Sequence, residues 1–274
     1  MLHINDYTKG LGIENGYYSS SIKSNISYPE EGNSLLMILE ENSFWFQHRN
    51  DIIAEIIKKW YPDKGIVFDI GGGNGYVAKR LQEEGFTPIV VEPGLDGVKN
   101  SLKRRIIHVI HSSYEHAGFM DNAIPSTGLF DVLEHIEDDT KFLKSIYSKT
   151  TRGGYIYITV PAYKFLWSYE DDFAGHFRRY TVKTLKLVLA KAGFENMFQS
   201  YFFSVLPLPV FFFRALPSML GLNKDFDIEK SKKEHKRSKL ASLLVKVSQF
   251  ELNLLGRTKN IPFGTSIVTV ARKA

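Results

Sequence analysis

Val67-Phe68-Asp69-Ile70-Gly71-Gly72-Gly73-Asn74-Gly75 is the stretch that decides how this chain is read. A short apolar strand, Gly65–Ile70, carries an acidic residue near its end. Glycines then fall at alternate positions, and a helical pattern begins at Gly75 and runs to Glu84. Alternating glycines let the backbone turn sharply and approach a ligand that a Cβ would push away. The N-terminus of the helix that follows presents unbonded N–H groups to the same ligand.

Working outward, the pattern repeats. Strands are expected at Pro88–Glu92, Arg105–His111, Ala123–Val132, Tyr155–Val160, Phe194–Ser204 and Ser266–Ala271. Helices are expected at Leu95–Leu102, Asp138–Lys149 and Thr181–Ala192, the last capped by Gly193. Strands alternating with helices at this spacing predict a Rossmann-like, doubly wound α/β sheet of about seven strands. Leu35–Trp60 shows apolar residues at helical spacing, so an N-terminal helical segment is expected to precede the sheet. Residues 1–34 read as a polar arm with little periodicity, and residues 35–274 as one domain. Within that domain 205–260 forms a helical, apolar and basic insertion before the last strand.

Composition narrows the function classes. The 274 residues are 43% hydrophobic and 24% charged, which is ordinary for a globular chain, and the net charge is +5. Absence of cysteine excludes disulfides, thiolate zinc sites and a cysteine nucleophile. The opening residues lack the basic-then-apolar pattern of a signal peptide, so a cytoplasmic protein is expected. Phe202–Leu220 approaches the length of a membrane span, but Pro207, Pro209, Arg214 and Pro217 interrupt it. A buried or interfacial segment is expected there. The amphipathic pattern of Lys230–Leu255 suits packing on the domain or peripheral contact with a lipid surface.

Two ligand classes use a turn of this kind. A dinucleotide site takes Gly-x-Gly-x-x-Gly, and from Gly71 the third glycine would fall at Tyr76. Read from Gly73 the third position is Ala78, which is permitted, so glycines alone leave a nicotinamide-dependent oxidoreductase open. Asp69 argues against it. A carboxylate facing a pyrophosphate meets like charge, whereas it suits a cationic amino group.

The acidic-x-Gly-x-Gly-x-Gly pattern of Asp69, Gly71, Gly73 and Gly75 resembles the first motif of class I S-adenosylmethionine-dependent methyltransferases. Glu92, ending the second strand, resembles the acid of that family that takes both ribose hydroxyls. Phe130-Asp131-Val132-Leu133-Glu134-His135 resembles the segment after the fourth strand in members acting on small molecules and lipids. Arg152-Gly153-Gly154, Ala192-Gly193-Phe194 and Ile261-Pro262-Phe263-Gly264 resemble turns into later strands, although a proline is usual where Arg152 stands. The resemblance spans roughly residues 44–273. It implies S-adenosyl-L-methionine as cofactor, S-adenosyl-L-homocysteine as product, and a small-molecule or lipid-like acceptor methylated at oxygen, nitrogen or carbon. A non-catalytic subunit that only binds the cofactor stays open as an alternative.

On this resemblance the cofactor residues are Asp69, Gly71, Gly73, Gly75, Glu92, Ser113, Tyr114 and Arg49, the last on a lid formed around Ser43–Arg49. His135 and His176 are the candidate catalytic bases. Arg178, Arg179 and Tyr180, in a loop resembling the family's His-x-Arg-Arg-Tyr stretch, are candidates to hold an anionic acceptor. The opposing reading pairs Arg178 and Arg179 with Asp171 and Asp172 to lock the loop. No metal site is expected, and nothing points to nucleic acid: there is no Asn-Pro-Pro-aromatic motif and no added recognition module.

Overall fold

The computed structural model describes residues 2–22, 37, 40–41, 43–61, 63–222 and 241–274. Its strands are β1 (Leu11–Glu14), β2 (Tyr17–Ser20), β3 (Ile66–Ile70), β4 (Thr87–Glu92), β5 (His108–His111), β6 (Ile124–Phe130), β7 (Thr150–Pro161), β8 (Glu195–Phe202) and β9 (Ser266–Arg272). They form one nine-stranded sheet in the order β1-β2-β5-β4-β3-β6-β7-β9-β8. β3 to β7 pair in parallel with one another, while β9 lies antiparallel between β7 and β8. The chain runs outward from β3 through β4 to β5, then returns to place β6 on the other side of β3. A crevice opens at such a switch point, outside the carboxyl ends of β3 and β6.

Two strands exceed the seven expected, and both lie in the arm whose sequence shows little periodicity. β1 and β2 form a hairpin closed by Asn15 and Gly16, with φ of +45° and +87°, and β2 extends the sheet in parallel beside β5. Most of its side chains are half-buried or exposed, so no apolar alternation marks it. Asn-Gly at the tip, the usual residues of a tight primed turn, was the available signal.

Helices cover both faces. α1 (Phe44–Trp60) and α2 (Tyr76–Glu83) lie with Val67 in one core cluster; the fully buried Ile52, Ile53, Ile56 and Ile57 stabilise it by about 2 kcal/mol each. α3 (Leu95–Lys103) covers Val90 and Val109. On the other face α4 (Asp139–Lys149) and α6 (Val182–Ala192) pack over Phe68, Ile70, Ile156 and Ile158, and α5 (Tyr169–Ala174) stands in the loop between β7 and α6. Successive strand residues point to opposite faces, so Asp69 shares the face of Val67 and of α1.

The described parts of the insertion are helical. α7 (Pro207–Val210), a π-turn over Phe211–Ala215 and α8 (Leu216–Met219) run on without a break, and α9 (Ala241–Gly256) packs against α1. The basic residues between 223 and 240 lie outside the described residues. Pro207 and Ala215 are buried, whereas Leu208, Phe212, Phe213 and Met219 are exposed. Among the described residues no helix is long and apolar enough to cross a membrane.

Glu251 fastens α9 to the sheet. It is 2% exposed and accepts from the Phe203 N–H at 3.0 Å, the Ser204 N–H at 2.6 Å and the Ser204 hydroxyl at 2.5 Å, with His48 Nε2 at 2.9 Å. Burial pushes this carboxyl up, but His48 and Ser204 outweigh it and hold it below the usual range. Its stabilising effect is therefore present above the unfolded carboxylate value and disappears as pH falls through the lower folded one. Glu251→Ala should cost about 3 kcal/mol and lower Tm by roughly 10 °C at neutral pH in calorimetry. An unchanged Tm would show that α9 is held by packing alone.

Candidate functional site

Gly71, Gly73 and Gly75 adopt φ of +68°, +53° and +71°, a region that a Cβ makes costly. A Cβ at Gly71 would stand 2.9 Å from Val132 Cγ2 and one at Gly75 2.6 Å from Ser101 Oγ, while nothing lies within 4 Å of the Gly73 position. The turn opens there onto a cavity of about 250 Å³. Trp45, Phe46 and Arg49 of α1 form one wall, Asp69 and the glycine turn the floor, and Phe130 and Asp131 the side toward β6. A larger cleft, about 450 Å³, lies against β8 and α6 beside Trp60 and Lys186. It touches neither the switch point nor any strand-end acid, so the chemistry is placed in the smaller one.

Asp69 is 1% exposed, and its Oδ2 has no hydrogen-bond partner. Burial lifts the carboxyl to about 7; Arg49 opposes the rise and Glu92 adds to it. Glu92 ends β4 and accepts from Gly73 N–H at 2.9 Å and Gly94 N–H at 2.7 Å, bracing the turn from the neighbouring strand. Burial raises it also to about 7, against those two bonds. Arg49 reaches from α1 to pair with Asp131 at 2.5 Å and to donate to the Phe130 carbonyl at 2.9 Å. The α1 aromatics thus cover the cavity where the sequence placed a lid, with Trp45 also stacked on Phe203.

Sequence reasoning passed over several residues that hold this turn. Arg104 bridges Glu40 at 2.6 Å and the Asn74 carbonyl at 3.0 Å, and Asn100 donates to Asn74 Oδ1 at 3.0 Å. Gly97 lets α3 approach: a Cβ there would lie 2.7 Å from the Gly73 carbonyl oxygen and 2.8 Å from Glu92 Cγ. No motif marks these positions, since each is defined by what packs against it.

Ser113 and Tyr114 lie after β5 but do not line the cavity. Ser113 Oγ is 3.2 Å from His116 Nδ1. Tyr114 turns into the core against Phe119 and Phe142, with its hydroxyl 3.3 Å from Ser145 Oγ. Its expected ligand contact is replaced by core packing.

The loops after β6 and β7 meet beside the switch point. Asp131 has φ of +57°, a strained conformation for a side-chain-bearing residue, fixed by Thr159 Oγ1 at 3.1 Å and by Arg49. Glu134 is 1% exposed with Oε2 unpartnered; burial first, then Asp131, raises it well above the usual range. His135 and His176 stack edge to face with ring centroids 4.7 Å apart. Burial, with His176 next, holds His135 down to about 4. His176 Nδ1 lies 2.8 Å from Asp171 Oδ1. Neither histidine lines the cavity itself; Asp131 joins it to their loops.

The residues expected to hold an anionic acceptor are engaged within the protein. Arg179 clamps Asp171 through two bonds, 2.7 and 2.9 Å, and Arg178 pairs with Asp139 at 2.7 Å while donating to the Glu137 carbonyl. Tyr180 donates to Asp139 at 2.8 Å. These bonds fasten the loop; Arg179 takes Asp171, the partner named in the opposing reading, whereas Arg178 takes Asp139 and Asp172 accepts from Trp167.

Residues 44–198 match a family described as "Methyltransferase domain". Among curated proteins, a UPF0146 protein of Pyrococcus furiosus is 40% identical over 57 residues, 20% of this chain and 43% of its own length. A structure of Haemonchus contortus phosphoethanolamine N-methyltransferase 2 in complex with S-adenosyl-L-methionine superposes with TM-score 0.56 at 18% identity. It covers 91% of this chain, which spans only 58% of that one. A methyltransferase of Thermotoga maritima gives 0.55 at 15% identity over 90% and 100% of the chains. One from Archaeoglobus fulgidus gives 0.51 at 20% over 82% and 94%. At these identities the structural likeness concerns the fold, which is the Rossmann-like α/β fold of those methyltransferases.

Proposed function

This chain belongs to the methyltransferase-domain family, and we propose that it transfers the methyl group of S-adenosyl-L-methionine to a small-molecule or lipid-like acceptor. The observation that carries this reading is Asp69: a buried carboxyl with a free oxygen, on the floor of a cavity, beside a turn without side chains. That arrangement fits the cationic amino end of the cofactor and would repel a pyrophosphate. In this reading Asp69 holds the ammonium, Glu92 the ribose hydroxyls through lone pairs left by Gly73 and Gly94, and Arg49 stands by the carboxylate. The bound cofactor supplies a sulfonium-activated methyl group. What the protein adds is alignment in a water-poor cavity under Trp45 and Phe46, which lowers the barrier mainly through positioning. His135 and His176 supply the acceptor side, where a group that gives up a proton on methylation is held.

Two features support a small polar head on a lipid-like acceptor. One fold relative, Haemonchus contortus phosphoethanolamine N-methyltransferase 2, was solved with phosphomonomethylethanolamine and S-adenosylhomocysteine. Leu208, Phe212, Phe213 and Met219 expose an apolar surface just ahead of the lysine-rich segment 224–246. Such a surface binds an anionic membrane by apolar insertion and charge together. The protein should therefore co-sediment with anionic vesicles and transfer labelled methyl groups to lipid headgroups. Phe212→Ser with Phe213→Ser should abolish sedimentation. Equal sedimentation by the double variant would remove the membrane, leaving soluble acceptors to be screened.

The raised carboxyls give a pH dependence whose sign is fixed. The folded chain keeps protons on Asp69 and Glu92 up to about 7, whereas the unfolded chain loses them near 4, so stability without ligand falls as pH rises through that window. A cationic ligand prefers ionised Asp69. Its affinity should rise about tenfold between pH 6 and 8 by calorimetry, and Asp69→Asn should bind weakly with a shallower profile, Glu92 alone still titrating there. Tightening toward low pH would contradict the assignment.

A further inference from the structure

We propose that Glu134, His135 and His176 form a binding site for one divalent transition-metal ion at the acceptor end of the crevice. Each residue offers one ligand atom, and the three atoms lie within 4.8 Å of one another. Neighbouring donors of a tetrahedral ion held at about 2.1 Å stand about 3.4 Å apart, so the side chains close the set by drawing in on the order of 1 Å. One carboxylate with two imidazoles suits zinc, manganese, iron(II) or cobalt(II), and does not suit calcium or magnesium, which favour all-oxygen shells.

The charges around Glu134 point the same way. Two guanidinium groups act on it, and each is already committed: Arg49 to Asp131 and Arg179 to Asp171. Glu134 is left as a carboxyl that is 1% exposed, with Oε2 lacking any hydrogen-bond partner and no guanidinium of its own. A buried carboxyl keeps its proton unless it is paired or coordinates a metal. A metal ion beside Oε2 would take the place of that proton.

The histidines are prepared for the same ion. His176 Nδ1 faces Asp171 Oδ1 at 2.8 Å, and donation of its proton to that carboxylate leaves Nε2 with a lone pair. A carboxylate behind an imidazole in this way is the usual support for a metal-ligating histidine. His135 Nδ1 is buried without a hydrogen-bond partner, although the ring also bonds the Ala174 backbone, and it stands edge to face with His176 at 4.7 Å. The ligands come from two loops, and those loops are stapled together. Phe177 N–H donates to the Glu134 carbonyl at 2.8 Å, Arg178 pairs with Asp139, and Tyr180 donates to the same Asp139. Arg178 and Tyr180 thus hold the two halves of the site in register, while Arg179 clamps Asp171 behind His176.

Three protein ligands leave coordination positions open for an oxygen or nitrogen of another molecule. Next to Asp131 and the cofactor cavity, that molecule is the methyl acceptor, a consequence that rests on the methyltransferase reading. Binding of the ion does not rest on it.

The test uses the full chain, stripped with chelator and then titrated with cobalt(II), zinc and manganese. Cobalt(II) should bind at one equivalent and give visible d–d bands of a nitrogen-ligated ion, and zinc should displace it. Glu134→Gln and His176→Ala should lose the bands, and Asp171→Asn should weaken binding about 10–100-fold. Titration of the same variants with S-adenosylhomocysteine checks that they fold and keeps the two readings apart. Lost metal with retained cofactor supports the site whatever the acceptor proves to be. Absence of saturable d–d bands in the wild-type protein overturns it without any variant, as does full metal binding by Glu134→Gln.

Discussion

A carboxylate buried without a full complement of partners is the constraint around which this structure is arranged. Asp69, the penultimate residue of β3, is 1% exposed with one oxygen unbonded. Taking such a group out of water is costly unless something cationic or hydrogen-bonding meets it. The fold meets it only in part, through the field of Arg49. The three left-handed glycines that follow keep side chains away from the one side still open. α1 closes the opposite wall. The cavity is a consequence of leaving that oxygen free.

Around it the other charges are distributed so that each guanidinium is spent within the protein. Arg104 takes Glu40 and anchors the backbone at Asn74; Arg49 takes Asp131; Arg179 takes Asp171. Each bond ties a loop at the carboxyl end of the sheet to another element, so the loops that border the crevice are held before any ligand arrives. Preorganisation of this sort puts positioning ahead of acid–base chemistry in the rate, as methyl transfer from a sulfonium requires. Asp69, Glu92 and Glu134 have no guanidinium of their own, and of these Asp69 and Glu134 each keep an oxygen without a hydrogen-bond partner. One faces the cofactor cavity and the other the histidine pair.

The parts legible in sequence are those where backbone geometry dictates the residue. Gly71, Gly73 and Gly75 sit at positive φ, so their spacing announces the turn, and the apolar run before them announces a strand buried on both faces. Helices α1 to α4 and α6 follow from apolar periodicity. The β1–β2 hairpin escaped because its strands are largely solvent-facing, though Asn15-Gly16 marked its tip. Tyr114 reads as a strand-end ligand contact but packs into the core, because sequence shows that an aromatic is present without showing which way it turns. Arg178 and Arg179 read from sequence either as free charge or as partners of Asp171 and Asp172, and Arg179 does take Asp171. Asp139, the partner of Arg178, becomes visible only when the loops after β6 and β7 are brought together.

The central claim is that the turn at Asp69 holds an adenosyl sulfonium ligand rather than a dinucleotide. Calorimetric titration of the purified chain with S-adenosylmethionine, S-adenosylhomocysteine and NADH tests it, beside Asp69→Ala. The account predicts saturable binding of both adenosyl ligands, none of NADH, and loss of S-adenosylmethionine binding in the variant. Binding of NADH alone, or adenosyl binding untouched by Asp69→Ala, would contradict it.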